Sequence, residues 1–216
     1  MNGIRRPYQR ETEDVRREAL ISAALDLIAV GGIKAATVRA IAEKAGVTSG
    51  LIRHYFASKD DLVRESYHWM MQRMIADSAD VLKDSECDPI TDLAVFVATT
   101  LAPPVVDAAR LGLWAGFMHE VQHDPLIRQV HIQTYFGYRD VLQSLIGRLP
   151  RAVSAEQLRV DAIACNGVID GLWMEACAVP EIFAPGEIQR IGLTSVGAIL
   201  GVDLLSAHEA SQRPTS

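Results

Sequence analysis

Apolar residues along this chain recur with helical spacing. Ile21, Ala24, Leu25 and Ile28 stand at i, i+3, i+4 and i+7, which predicts an amphipathic helix over about residues 12–30. Glu13 and Asp14 fall in its expected first turn, where the macrodipole favours acids, and Gly31-Gly32 closes it. Val38, Ile41, Ala42 and Ala45 repeat the spacing over a short second helix, with Thr37 as N-cap and Gly46 as stop. A third short helix starts at Thr48 and turns Leu51, Ile52 and Phe56 inward. Ser58 and Asp61 then have capping-box spacing and open a long helix through about Lys83.

Further along, Asp88-Pro89 and Asp124-Pro125 each join an N-cap acid to a proline at the first helical position. Ser154 to Gln157 forms another capping box. Helices are therefore expected near 89–102, 105–122, 125–148, 155–178 and 187–205. The one strand-like run, Leu93–Leu101, has alanines and a helical start signal, and reads as helix. The pattern predicts an all-α fold. Residues 1–10 and 206–216 are expected to be disordered.

Composition narrows the class. The 216 residues are 49% hydrophobic and 22% charged, which excludes disorder for the bulk of the chain. No apolar run reaches the roughly 18 residues of a membrane-spanning helix. The opening MNGIRRPYQRETED is too polar for a signal peptide, so the cytoplasm is the expected address. Cys87, Cys165 and Cys177 are odd in number and have no CxxC spacing, which argues against a disulfide framework or a zinc knuckle. They read as reduced and mostly buried. The net charge of −6 is uneven: residues 1–60 carry +3 and the remainder −9. A basic head on an acidic body points to a polyanion met by the head alone.

The two short helices, joined at Gly46-Val47 and preceded by a packed helix, make a helix-turn-helix. With Val38, Ile41, Ala42, Val47, Leu51 and Ile52 inward, the third helix presents Thr48, Ser49, Arg53, His54 and Tyr55 to a major groove. Thr37 and Lys59 bracket the unit as phosphate contacts.

The segment TVRAIAEKAGVTSGLIRHYFASKDDLV, Thr37 to Val63, resembles the DNA-binding domain of TetR-family transcriptional regulators. The likeness runs from about residue 14 and includes ALDLIAVGG, Ala45-Gly46-Val47, Gly50, Tyr55-Phe56 and Ser58-Lys59. Many relatives have a tyrosine where Arg53 stands, so Arg53 is expected to grip a phosphate or read guanine instead. GVTSGLIRHYF with KDDL, then LWAGFMHE, Asp124-Pro125 and IDGLWM, resembles the BetI-type subgroup, regulators of choline-to-betaine genes.

The resemblance implies two domains. Residues 1–62 would be the helix-turn-helix domain with a disordered basic N-terminal arm, and 63–216 a helical ligand-sensing and dimerisation domain. The function implied is a repressor that binds a palindromic double-stranded operator as a homodimer and is released by a small molecule, with no cofactor, metal or membrane involved. The helices at 155–178 and 187–203 would form the dimer interface, their small residues Gly167, Gly171, Gly192, Gly197 and Ala198 permitting close approach. Candidate ligand-binding residues are Trp114, Phe117, Met118, Tyr135, Asn166, Asp170 and Trp173. Aromatic faces with one acid suit a quaternary ammonium, at about 0.5–2 kcal/mol per face. Aromatics at helical spacing suit a core equally well. Asp170 needs a partner, either a cationic ligand or Asn166 one turn earlier.

Two other functions compete. His119-Glu120-Val121-Gln122-His123 fits HExxH, in which two histidines on one helix face bind zinc and the glutamate acts as base. The extension of that signature is missing, since Leu126 and Gln129 stand at its places. No enzyme activity is therefore expected. An activator in place of a repressor is the third reading.

Overall fold

The computed structural model describes residues 6–83 and 85–213. Among these residues the chain forms ten α-helices and no strand. They are α1 (Arg6–Gly31), α2 (Val38–Lys44), α3 (Ser49–Tyr55), α4 (Lys59–Ala79), α5 (Pro89–Thr100), α6 (Ala108–His123), α7 (Pro125–Gly147), α8 (Ala155–Ala178), α9 (Glu187–Leu200) and α10 (Leu204–Ser211).

The start signals act as read. Thr37 Oγ1 accepts from the Ala40 N–H, Asp88 Oδ1 from Ile90 and Thr91, Asp124 Oδ1 from Leu126 and Ile127, and Ser154 Oγ from Gln157. Ser58 Oγ accepts from Asp61 N–H, while Asp61 reaches back to Ala57 N–H.

Several expectations need correction. α1 begins at Arg6, so Glu13 and Asp14 lie in its second and third turns. The expected disorder of 6–10 gives way to helix, while residues 1–5 lie outside the described residues. The cysteines are free and mostly buried as expected, Cys165 and Cys177 inside and Cys87 exposed. The last predicted helix is two. Gly201 adopts φ 68°, and Val202 N–H returns to the Gly197 carbonyl at 3.0 Å, the closing bond of a Schellman motif. Asp203 Oδ1 then caps α10 through Ser206 N–H, so residues 206–211 are helical; 214–216 lie outside the described residues.

By packing the chain divides into two units. Unit 1 is Met1–Met70 with Gly112–His131; unit 2 is Met71–Leu111 with Ile132–Ser216. In unit 1 the stripe Leu20, Ile21, Ala24 and Ile28 of α1 is buried, as are Ile41, Ile52 and Phe56. Tyr67 is fully buried and stacks on Phe117, their centroids 4.4 Å apart. Burying such a side chain contributes about 1.5–3 kcal/mol.

In unit 2, α5 packs against α8, α9 and α10. Leu93, Phe96 and Val97 on α5 are fully buried, as are Ala162 and Cys165 on α8. Within this apolar helix Asp92 is 2% exposed and is satisfied from two sides. Ser85 Oγ and Arg148 Nη2 each donate to it at 2.6 Å. Both units are held by amphipathic helices, and both leave a defined set of polar groups unabsorbed.

Candidate functional site

The turn between α2 and α3 is set by Gly46. It sits at φ 66°, where a side chain is strained. Gly46 N–H donates to Glu43 O and Val47 N–H to Ala42 O, a complete Schellman motif. The chain can therefore turn sharply and start α3 at once. Ile41, Ala42 and Ile52 are buried by this turn, while Val38, Val47 and Leu51 are half-buried.

The opposite face is left to solvent. Thr37, Thr48, Ser49, Gly50, Arg53 and His54 are exposed, and Tyr55 and Lys59 half-buried. Thr48 precedes α3 in the capping position, yet its side chain makes no capping bond. Its hydroxyl is thus available outside the protein, whereas that of Thr37 accepts from Ala40 N–H and keeps its own O–H to donate. His54 meets Tyr55 edge-on at 5.1 Å. Gly50 is helical, and a Cβ there would find only Thr48 Oγ1 at an ordinary 3.9 Å. Nothing inside the chain requires glycine at this position. The face combines two cations, free hydroxyls and a spot without a side chain, which is the chemistry of a surface that meets phosphates and base edges.

Unit 2 holds a polar cluster between α7 and α8. Asn166 Nδ2 donates to Tyr135 Oη and to Asp170 Oδ2, both at 2.7 Å. Tyr135 Oη also approaches Asp170 Oδ2 at 3.4 Å. Burial raises the Asp170 pKa above the usual carboxylate range, against the lowering effect of these two donors. Burial, then the Asp170 charge, raises that of Tyr135. Nearby, Tyr138 donates to Thr100 Oγ1 at 3.4 Å, and burial raises its pKa too.

Comparison with known proteins decides the family. Residues 20–66 match the model for bacterial regulatory proteins of the tetR family, and residues 89–201 match that for the C-terminal region of BetI-type transcriptional repressors. The chain belongs to the BetI-type branch of the TetR family. An HTH-type transcriptional regulator BetI from Paraburkholderia phymatum is 28% identical over 92% of this chain and 96% of its own. A solved transcriptional regulator from Pseudomonas aeruginosa superposes with a TM-score of 0.79 at 27% identity, covering 92% of this chain and 94% of that one. A Saccharomonospora viridis regulator, solved in complex with choline, has the same fold at TM-score 0.68 and 19% identity, over 83% of this chain and 94% of its own.

In this TetR-family regulator the expected ligand residues fall in both units. Tyr135, Asn166 and Asp170 form one cluster. Trp173, also in unit 2, is a core residue at 6% exposure, its Nε1 donating to Val105 O at 3.0 Å. Trp114, Phe117 and Met118 belong to unit 1, where Phe117 is fully buried under Tyr67.

The expected small-residue stripe also separates. A Cβ on Gly192 would collide with Leu101 Cδ1, and one on Gly197 would lie 2.6 Å from the Val202 carbonyl. Those two glycines serve packing within the chain. Gly167 and Gly171 have open space instead, and lie along α8 with exposed Val160, Ile163 and Met174. Val160, Ile163 and Met174 give this face an exposed apolar character among the described residues.

The histidines of the HExxH match lie exposed on α6 with centroids 4.4 Å apart. His123 Nδ1 is bonded to the His119 carbonyl at 2.7 Å. Among the described residues no group of three His, Cys, Asp or Glu side chains could hold a metal ion, and no helix is long and apolar enough to cross a membrane.

The periodicity missed the role of Arg17. Its guanidinium lies over the Phe56 ring and pairs with Glu65. The signal was present, since Arg17 precedes Ile21 by four residues and so stands on the stripe that α1 buries.

Proposed function

We propose that this regulator is a ligand-responsive repressor acting in the cytoplasm. It binds a palindromic operator as a homodimer and leaves it when a small molecule occupies unit 2. The observation that carries the reading is the exposed face of Thr48, Ser49, Gly50, Arg53 and His54 over buried Ile52, completed by Thr37, Tyr55 and Lys59. Ser49, Arg53 and His54 reach base edges, while Thr37, Tyr55 and Lys59 meet phosphates.

The dimer forms through the α8 face of Val160, Ile163, Gly167, Gly171 and Met174, with exposed Ile191, Ala198 and Ile199 on α9. Glycines that no internal contact requires permit close helix approach. Tyr135, Asn166 and Asp170 bind the small molecule. Its binding must favour a conformation with lower operator affinity, since equal affinity for both states shifts nothing. The BetI-type relatives make choline and betaine genes the first targets to test.

The test is footprinting on the DNA flanking the gene, with sedimentation of the free protein. A protected palindrome with half-site centres about 34–36 Å apart, bound by a dimer, supports the reading. A monomer without operator preference rejects it. A reporter fusion separates repressor from activator by the sign of its response.

A further inference from the structure

The Asn166–Asp170 cluster restricts the chemistry of what it takes; this inference rests on the sensing role just proposed for unit 2. Asn166 Nδ2 donates to Tyr135 Oη and Asp170 Oδ2. That pair of bonds fixes the amide, because the reverse orientation would set its oxygen against a carboxylate. Asn166 Oδ1 is thereby left without a donor, on a side chain only 2% exposed. Both hydrogen bonds to Asp170 fall on Oδ2. Among the described residues no lysine, arginine or histidine forms an ion pair with this carboxylate, whereas the two fully buried acids of unit 2 and half-buried Asp77 each have one. Asp92 pairs with Arg148, Asp161 with Arg151, and Asp77 with Arg110.

An unmet buried acceptor and an unpaired half-buried carboxylate are each costly. Two such groups one helical turn apart form an acceptor-rich spot whose carboxylate has no ion-pair partner among the described residues. Tyr135 and Asp170 are half-buried, so both keep partial contact with solvent at the edge of the cluster.

We propose that this spot binds a protonated amine carrying two or more N–H or O–H donors, with the ammonium on Asp170 and a second donor on Asn166 Oδ1. A quaternary ammonium has a charge for Asp170 but no N–H. Choline has one hydroxyl and can satisfy one acceptor. Removing one methyl gives N,N-dimethylethanolamine, whose N–H and O–H satisfy both. A neutral ligand leaves the carboxylate unpaired.

Calorimetric titration of the full chain tests this. The probes are ethanolamine, N,N-dimethylethanolamine and putrescine as amines, choline as the quaternary comparison, and 3,3-dimethylbutan-1-ol as its uncharged analogue. An amine is expected to saturate the protein at millimolar concentration or below, and dimethylethanolamine to bind about tenfold or more tightly than choline. Asp170→Asn should weaken amine binding about tenfold to a hundredfold without lowering the melting temperature, which a merely structural role would do. Absence of saturation by all three amines, choline equal to dimethylethanolamine, or unchanged binding in Asp170→Asn would overturn the inference. The choline comparison uses the unmodified protein and does not depend on the variant folding. If choline or the alcohol binds as tightly as dimethylethanolamine and releases operator, the amine class falls while the sensing role stands.

Discussion

Arg17 Nη2 donates to Glu65 Oε2 at 2.6 Å and ties α1 to α4. The same guanidinium lies 5.2 Å from the centroid of Phe56, the residue that ends α3. One side chain therefore fixes the far end of the exposed helix against two others. Both partners of the ion pair are more than a third exposed, so solvent holds its worth to about 0–1 kcal/mol. The cation–π contact adds about 0.5–1 kcal/mol. Arg17→Ala is expected to lower stability by about 1 kcal/mol in urea unfolding. Operator affinity, read by fluorescence anisotropy, should fall further than that loss explains. Arg17→Lys keeps the charge but loses the flat stacking surface and should recover only part. Unchanged affinity in Arg17→Ala would remove it from the positioning of α3.

Gly50 separates folding from binding. Alanine in its place fits the helix and should stabilise it by up to about 1 kcal/mol. The added methyl stands on the exposed face, so operator affinity should drop. Arg53→Ala should cost about 1–3 kcal/mol of binding if it reads a base. Lys59→Ala should weaken all sequences alike and reduce the salt slope by about one. A Gly50→Ala protein that binds operator as well as the parent would show that nothing approaches closely there.

The four glycines of α8 and α9 should respond in two ways. Gly192→Val and Gly197→Ala press on Leu101 and on the Val202 carbonyl, so they should lower the melting temperature of the subunit, with overpacking costing about 1–3 kcal/mol. Gly167→Leu and Gly171→Leu meet open space within the chain and should leave the subunit's helical spectrum intact. Their effect should appear in sedimentation velocity as a weaker dimer. A full dimer in the Gly167→Leu, Gly171→Leu double variant would place the interface elsewhere.

Two carboxylates of α8 should give opposite pH signatures. Burial pushes Asp161 up, but hydrogen bonds from Gln157 and Arg151, with the Arg151 charge, outweigh it and hold its pKa below the ordinary range. Its contribution is present above the unfolded value of about 3.9 and is lost as pH falls through the lower folded value. Burial raises Asp170, so its ionisation costs stability above the folded value, and protonation on acidification relieves that cost. At neutral pH Asp161→Asn should therefore destabilise in urea, and Asp170→Asn should not. Below about pH 4 the difference between the two variants should shrink. Equal losses at neutral pH would contradict this assignment.

Much of the fold was legible because caps act locally. Thr37, Asp88, Asp124 and Ser154 each needed only the residues two or three places on. Asp203 uses the same code, and with Gly201 it marks α10, yet both fell inside one helix expected over 187–205, and the residues that continue α10 were expected to be disordered. What periodicity could not separate was one buried aromatic from another. Phe117 and Trp173 have the spacing of pocket residues but are held by Tyr67 and the Val105 carbonyl. The Asn166–Asp170 pairing was accessible at i, i+4. That Oδ1 of Asn166 stays unmet was not, because it depends on Tyr135 arriving from another helix. Likewise the four glycines are alike in sequence, and only Leu101 and Val202, distant or returning along the chain, tell two of them apart.

Unit 1 closes over a gap in the chain, because Tyr67 finds its stacking partner at Phe117. During synthesis the first three helices leave the ribosome long before that partner exists. The Tyr67 ring must wait, uncovered, while the intervening segment Met71–Leu111 is made. A fragment cut at residue 62 or 70 would keep every residue of the exposed α3 face and still lack Phe117. For anyone expressing the head alone, the shortest segment with its own ring covered runs past Phe117, and the two halves of that unit must be made together.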